Sequence, residues 1–459
     1  MNSNPPNLVY VFPDQYRQQA VGCMNADPVL TPNLNRLAAE GIVFTHAVSN
    51  YPVCSPYRAM LFSGKYPHAN HVISNCNSQT RPHGVYLRED ERCLTDVLHD
   101  AGYSQGYIGK LHLDAPLDEN APYTEGRRGD GRIWDAYTPP GPRRHGIDFW
   151  HSYGCCDLHL TPHYWVGDAA VDQRLDVTEW SVKHEADVAV DYIRNPDGAH
   201  RNPARPFALF LAHNPPHTPF QQVPETYVSR YGDATAETLL NRPNVRFEGN
   251  AAQAEQHVKN YFAAVTGIDD NLGRILEALD EKGLTDNTIV IFTADHGEMM
   301  GSHGRMHKDV WYDESLFVPF IMRWPARLAP RRDDLLLSVP DIMPTLLSMM
   351  ELGEHVPADV QGRDWSNAIL NGTGERPASA LYITIPYDRP TGGRRGVRTH
   401  RYTYVVDRQS SEEEAILLHD SETDPYQMRN VVAEQPAVAA ELRDELRSWL
   451  HRTGDPFRL

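Results

Sequence analysis

Short apolar runs alternating with helical segments fill the first two-thirds of this 459-residue chain and leave few architectures open. NLVYVF (7–12) ends at Pro13-Asp14-Gln15 and predicts a buried parallel strand. TPNLNRLAAEG (31–41) carries helix punctuation, with Thr31 as cap, Pro32 in the first turn and Gly41 as stop. IVFTHAVS (42–49) reads as the next strand, CLTDVLHDAG (93–102) as a helix and YSQGYIG (103–109) as the strand after it. PFALFLAH (206–213) and NTIVIFTADHG (287–297) continue the series around a helical segment over 257–283. VPFIMRWP (318–325) and a helix in DIMPTLLSMMEL (341–352) follow. This alternation predicts an α/β fold: a large, mixed but mostly parallel sheet sandwiched by helices. Two stretches, 110–165 and about 221–250, break the pattern, and loops of that length are commonly functional or unstructured.

After Gly374 the chain changes character. LYITIP (381–386), GVRTHRYTYVVD (396–407) and AILLHD (415–420) read as antiparallel strands, and AVAAELRDELRSWLHR (437–452) as a closing helix. The expected organisation is a main α/β domain over 1–375 and a smaller C-terminal α+β subdomain over 376–459.

Charge narrows the function. A net charge of −18 opposes non-specific binding to nucleic acid or to an anionic membrane, without excluding a small anion in a locally basic pocket. No apolar run is long enough to span a bilayer, and the N-terminus lacks the basic head and apolar middle of a signal peptide. The chain as written is expected to be cytoplasmic, or periplasmic or secreted if a leader was removed. Six cysteines (23, 54, 76, 93, 155 and 156) are too scattered for a disulfide framework, and Cys155 and Cys156 read as two ordinary thiols.

In an open parallel sheet, ligands bind outside the carboxyl ends of the strands. Here those ends are chemically loaded: Asp14-Gln15, Lys110 with His112 beyond it, His217 after PFALFLAH, and Asp295-His296. Two carboxylates, an amide oxygen and an imidazole suit a hard divalent cation such as Ca²⁺, Mg²⁺ or Mn²⁺. Lys110, His112, His217 and Lys308 would surround an oxyanion held there. CSPYRAMLFSG (54–64) predicts a short helix with Cys54 near its N-terminus, where anions are favoured, and Arg58 a turn later, reaching back to it.

With these residues in place, the chain resembles a type I sulfatase of the alkaline-phosphatase superfamily. The C-x-P-x-R signature with a later glycine is Cys54, Pro56, Arg58 and Gly64. GYIGKLHL resembles the family's G-K-x-H motif, NPPHTPF carries His217, and FTADHGEMMGSHGRMHKD carries the second metal pair and Lys308. The resemblance implies an enzyme that cleaves a sulfate ester to alcohol and sulfate. In the family, the cysteine is oxidised to formylglycine, whose hydrate attacks sulfur beside one divalent metal, Ca²⁺ by preference.

It further implies that Asp14, Gln15, Cys54, Asp295 and His296 hold the metal. Arg58, Lys110, His112, His217 and Lys308 would complete the catalytic set, and a formylglycine-generating enzyme is the implied maturation partner. Asn75, His303 and His307 are candidate substrate contacts, with turn and loop roles as the alternatives. The aromatics of 134–165 would stack on a sugar or form a secondary core. Three positions depart from the pattern: Tyr57 replaces the usual serine, Gln15 the usual second aspartate, and His296 the commoner asparagine. Asp-His also occurs in phosphonate monoester hydrolases, which lack G-K-x-H; its presence here favours a sulfatase. A phosphonate or phosphate ester hydrolase and an inactive binding protein are the rival readings.

Overall fold

The structure, a computed structural model, describes residues 5–116, 131–408 and 414–459. The main-domain strands are β1 (Asn7–Val11), β2 (Ile42–Phe44), β3 (Ala47–Val48), β4 (Ser104–Lys110), β5 (Phe149–Tyr153), β6 (His163–Val166), β7 (Leu175–Asp176), β8 (Phe207–Ala212), β9 (Thr288–Phe292), β10 (Ile321–Arg323), β11 (Arg331–Asp333) and β12 (Leu337–Ser338). Ten of them form one sheet in the order β11-β2-β10-β9-β1-β8-β4-β5-β6-β7. β1 lies near its centre, parallel to β8 and β9, with Val11 opposite Leu211 and Phe292. Every residue of β1, β8 and β9 is buried, which is why these strands read as unbroken apolar runs and not as alternating ones.

Two groups of helices sandwich the sheet. Ser181–Arg194 and Pro32–Glu40 pack on the long Ala252–Glu281 helix, while Leu94–Asp100 and Val339–Met349 pack on Cys54–Ser63. Among the described residues no helix is long and apolar enough to cross a membrane.

Several expectations need correction. IVFTHAVS is not one strand: it breaks at Thr45-His46, where the Thr45 hydroxyl bonds the His46 ring. β2 stays in the main sheet, and β3 pairs with β12 in a separate two-stranded sheet. The sheet is mixed as expected, with β10 antiparallel to both β9 and β2. The stretch 110–165 holds β5 and β6, whose aromatic and histidine-rich sequences FWHSY and HYWV hide the strand pattern; its residues 117–130 lie outside the described residues. Thr31 stands at the N-cap as expected, but its hydroxyl accepts the Gly22 N–H and makes no capping bond to the helix.

In the C-terminal subdomain, GVRTHRYTYVVD is a hairpin. β14 (Gly393–Arg398) and β15 (Tyr402–Arg408) lie between β13 (Ala380–Thr384) and β16 (Ala415–Asp420) in a four-stranded antiparallel sheet, closed by the Pro436–Thr453 helix. The sheet is tied to the segment leading into Cys54: Ile383 N donates to the Asn50 carbonyl (2.8 Å), and Asn50 Nδ2 donates to that of Leu381 (2.7 Å).

Candidate active site

Because β9, β1, β8 and β4 are parallel neighbours, the residues that follow them emerge at one edge of the sheet. Asp14 follows β1, Asp295 and His296 follow β9, Lys110 ends β4, and His213, Asn214 and His217 follow β8. The Cys54–Ser63 helix, buried throughout, points its first residue into this edge. Asn75 Oδ1 accepts the Ser55 N–H at 3.0 Å and so satisfies one orphan donor of that helix. Gly64 ends the helix at φ 65°, a left-handed conformation that suits glycine, and a Cβ there would meet Val360. Tyr57 packs into the hydrophobic core.

Cys54 Sγ lies 3.3 Å from His296 Nε2, 3.4 Å from Asp14 Oδ1, 3.7 Å from Lys308 Nζ and 3.9 Å from Lys110 Nζ. Lys110 Nζ donates to Asp14 Oδ2 (2.6 Å) and to Asn214 Oδ1 (3.0 Å). Arg58 does not bond back to the sulfur. Its fork holds Asp295 Oδ2 at 3.2 and 3.1 Å and Asp14 Oδ2 at 3.4 Å, and it donates to the Lys110 carbonyl at 2.6 Å. Gln15, at φ 65°, donates its backbone N–H to Asp295 Oδ1 (3.0 Å), and its side-chain oxygen accepts from Lys308 Nζ (2.6 Å).

The electrostatics are those of crowded charge. Burial pushes the Asp295 carboxyl up, and neighbouring Asp14 pushes it further, to about 6. Burial would also raise Asp14, but Lys110, His217 and His296 hold it well below the usual carboxylate range. Cys54 is likewise raised by burial and by Asp14, yet Lys110, Lys308 and His296 bring its thiol well below the usual value. His296 is pushed down by burial but carried up to about 10, chiefly by Asp295.

The donor set fits a divalent cation. Atoms of Asp14, Cys54, Asp295 and His296 lie within 4.8 Å of one another, all buried. His296 Nδ1 is engaged by the Gly297 carbonyl at 3.0 Å, which leaves Nε2 facing the two carboxylates. Gly297 is required where it stands, because a Cβ would lie 1.9 Å from the Glu314 carbonyl oxygen.

The remaining candidates divide. His217 Nδ1 bonds the Thr218 carbonyl (2.8 Å); burial lowers its pKa, and Lys308 adds to that, but Asp14 helps carry it above the ordinary value. His112 Nε2 bonds the Cys76 carbonyl (3.1 Å); burial lowers its pKa, but the Cys155 thiol beside it and Cys54 help carry it up to about 9. An open pocket of about 410 Å³ leads in from solvent between Tyr51, Asn75, His307, Lys308 and Tyr387. His307 is exposed at this mouth. His303 is not in it: its ring stacks on Tyr312 at 3.6 Å and bonds Asn244. Asn77 accepts the Gln79 and Thr80 N–H groups as a turn residue. In the 134–165 stretch, Tyr153, Cys156, Tyr164 and Trp165 form a secondary core.

The sequence reading did not single out Asn214, whose Oδ1 accepts from Lys110 Nζ, or Glu298, whose Oε2 accepts from Gln15 Nε2. Burial raises the pKa of the Cys155 thiol, but His112 and Lys110 draw it below the usual value.

The Sulfatase family model matches residues 6–352, and the model for the N-sulphoglucosamine sulphohydrolase C-terminal region matches 301–453. The chain is 42% identical to an endo-4-O-sulfatase of Bacteroides thetaiotaomicron over 98% of this chain and 93% of that protein. It is 31% identical to an ulvan-active sulfatase of Formosa agariphila, over 99% and 82%. A crystal structure from Bacteroides fragilis assigned to the sulfatase yidJ superposes with a TM-score of 0.93 at 42% identity, covering 100% of this chain and 98% of that one. With the Cys54 helix, paired carboxylates and lysines converging as described, the chain belongs to the type I sulfatase family of the alkaline-phosphatase superfamily and is a sulfuric ester hydrolase.

Proposed function

We propose that the substrate is the sulfate ester of a sugar, and that Cys54 is matured to formylglycine beside a Ca²⁺ ion held by Asp14, Gln15, Asp295 and His296. One observation carries the reading: an otherwise ordinary cysteine sits within 3.9 Å of two lysines, an aspartate and a histidine, at the N-terminus of a buried helix. The names of the relatives, an endo-4-O-sulfatase and an ulvan-active sulfatase, support a carbohydrate leaving group. Cys54 and Arg58 are buried in the folded chain, so a maturation enzyme would have to act before folding closes over them.

Formylglycine supplies a hydrated aldehyde, an oxygen nucleophile whose second hydroxyl gives the sulfated group a way out. A divalent cation held by these residues would supply Lewis acidity toward oxygen. The other roles belong to the chain's own side chains. Arg58 spaces and neutralises Asp14 and Asp295. Lys110 and Lys308 bind sulfonyl oxygens and compensate the charge that builds on them. His217 protonates the departing alcohol, with His112 as the alternative acid.

The test uses matured, Ca²⁺-loaded protein and a 4-O-sulfated disaccharide, with sulfate release followed by ion chromatography. Sulfate release that outpaces hydrolysis of a matched phosphonate ester is expected. A higher kcat/KM on the phosphonate would overturn the assignment.

A further inference from the structure

We propose that Glu298 is a positioning residue that fixes which way round the side-chain amide of Gln15 stands, and so which of its atoms faces Lys308 and would be offered to a cation in the neighbouring cluster. The inference rests on the metal-dependent reading above. Glu298 is fully buried beyond Asp295-His296. Its Oε2 accepts Gln15 Nε2 at 2.6 Å, and its Oε1 accepts the backbone N–H groups of Met300 (2.8 Å) and His307 (2.7 Å). On the other side, Gln15 Oε1 accepts Lys308 Nζ at 2.6 Å.

An ammonium group only donates and an ionised carboxylate only accepts. A side-chain amide between them has a single orientation that satisfies both. Turned over, its NH₂ would face the lysine and its oxygen would face the carboxylate. The Gln15 backbone is already pinned at both ends, by Asp295 Oδ1 on its N–H and by the Tyr261 hydroxyl on its carbonyl (2.9 Å). The amide rotation is the freedom left, and Glu298 sets it.

This accounts for the departure at position 15. A carboxylate there would face Glu298 with like charge, whereas an amide can donate to it. Gln15 and Glu298 form a matched pair, and the same carboxylate anchors the segment carrying Lys308 through the His307 N–H.

The test is a swap. In E298Q, the new amide keeps its oxygen on the two backbone N–H groups and turns its NH₂ toward Gln15, which must flip and present NH₂ to Lys308. Q15E sets two carboxylates against each other. Q15E/E298Q restores a donor against an acceptor at every contact with unchanged net charge. Ca²⁺ affinity is read by calorimetry with Ca²⁺ alone, and kcat/KM on the sulfated disaccharide.

Each single variant is expected to lose about 10- to 100-fold in both, and the double variant to return to within about threefold of wild type. Single variants that melt earlier but bind Ca²⁺ as wild type does would overturn the proposal, as would a double variant no better than Q15E. Should E298Q not fold, Q15E against the double variant decides in the same way. If wild type binds Ca²⁺ but releases no sulfate, the functional reading fails while the calcium titrations still decide the role of Glu298.

Discussion

Arg395 and Asp455 in the C-terminal subdomain, and Arg58, Asp14 and Asp295 at the edge of the main sheet, are equally hidden: all these side chains are 0% exposed. They are built differently. Arg395 meets one carboxylate through Nε and Nη2, and spends Nη1 on the carbonyls of Thr384 (2.8 Å), Gly392 and Arg394, while Asp455 Oδ1 also accepts the Phe457 N–H. Charge and hydrogen bonds close on themselves.

At the sheet edge one guanidinium is shared by two carboxylates, which also face a histidine, a lysine and a thiol, and Asp295 is driven up to about 6. A buried pair pays for its desolvation only when its geometry is complete. The complete pair is architecture; the crowded one is arranged for groups that arrive later. Variants in the two regions should therefore separate activity from stability.

The largest effect belongs to Cys54→Ser. A serine ester has no second hydroxyl to expel sulfate, so multiple-turnover kcat is expected to fall by about four orders of magnitude or more, equivalent to at least about 5.5 kcal/mol of barrier. The melting temperature should hold, and multiple turnovers by verified serine protein would break the contrast.

Next, Lys308→Ala removes the ammonium proposed to bind a sulfonyl oxygen and should lower kcat/KM by about 10²–10³-fold without loss of stability. Asp455→Asn should do the reverse, costing about 3 kcal/mol in denaturant unfolding because it leaves Arg395 buried and unpaired, with kcat/KM unchanged.

The pH dependence of that cost sharpens the point. Burial pushes the Asp455 carboxyl up, but His68 and Arg395 overcome it and hold the pKa at about 2 against the usual 3.8. Its stabilisation is therefore fully present above 3.8 and fades as pH falls through about 2. The gap between wild type and Asp455→Asn should narrow by about 2 kcal/mol over that window.

The last comparison is calcium itself. Ca²⁺ at about 100 times its Kd should stabilise wild type by about 2.7 kcal/mol over chelator-treated protein. Asp455→Asn should keep that increment, and Asp295→Asn should lose most of it.

The strands that position the site were legible because a strand buried on both faces must be apolar until it reaches the sheet edge, and there Asp14, Lys110 and Asp295 stand out. β5 and β6 were not, because their buried residues are aromatic, histidine or, at Ser152, small and polar. Loop geometry was equally silent. Gln15, His112, His307 and Asp309 all adopt positive φ without being glycine, at φ 65°, 53°, 67° and 72°. Such strain persists only where surrounding contacts enforce it, so no local preference announces it. Glu298 shows the same limit, since its partner Gln15 is 283 residues away. For His303 the sequence left a substrate contact and a loop role open, and its ring stacks on Tyr312.

The most direct test is the mass of the tryptic peptide that ends at Arg58, from protein co-expressed with a formylglycine-generating enzyme. The aldehyde or its hydrate in place of the Cys54 thiol is the predicted result, with sulfate release from the sulfated sugar rising in proportion to it. An unmodified thiol in protein that still turns over the sulfate ester would contradict the account.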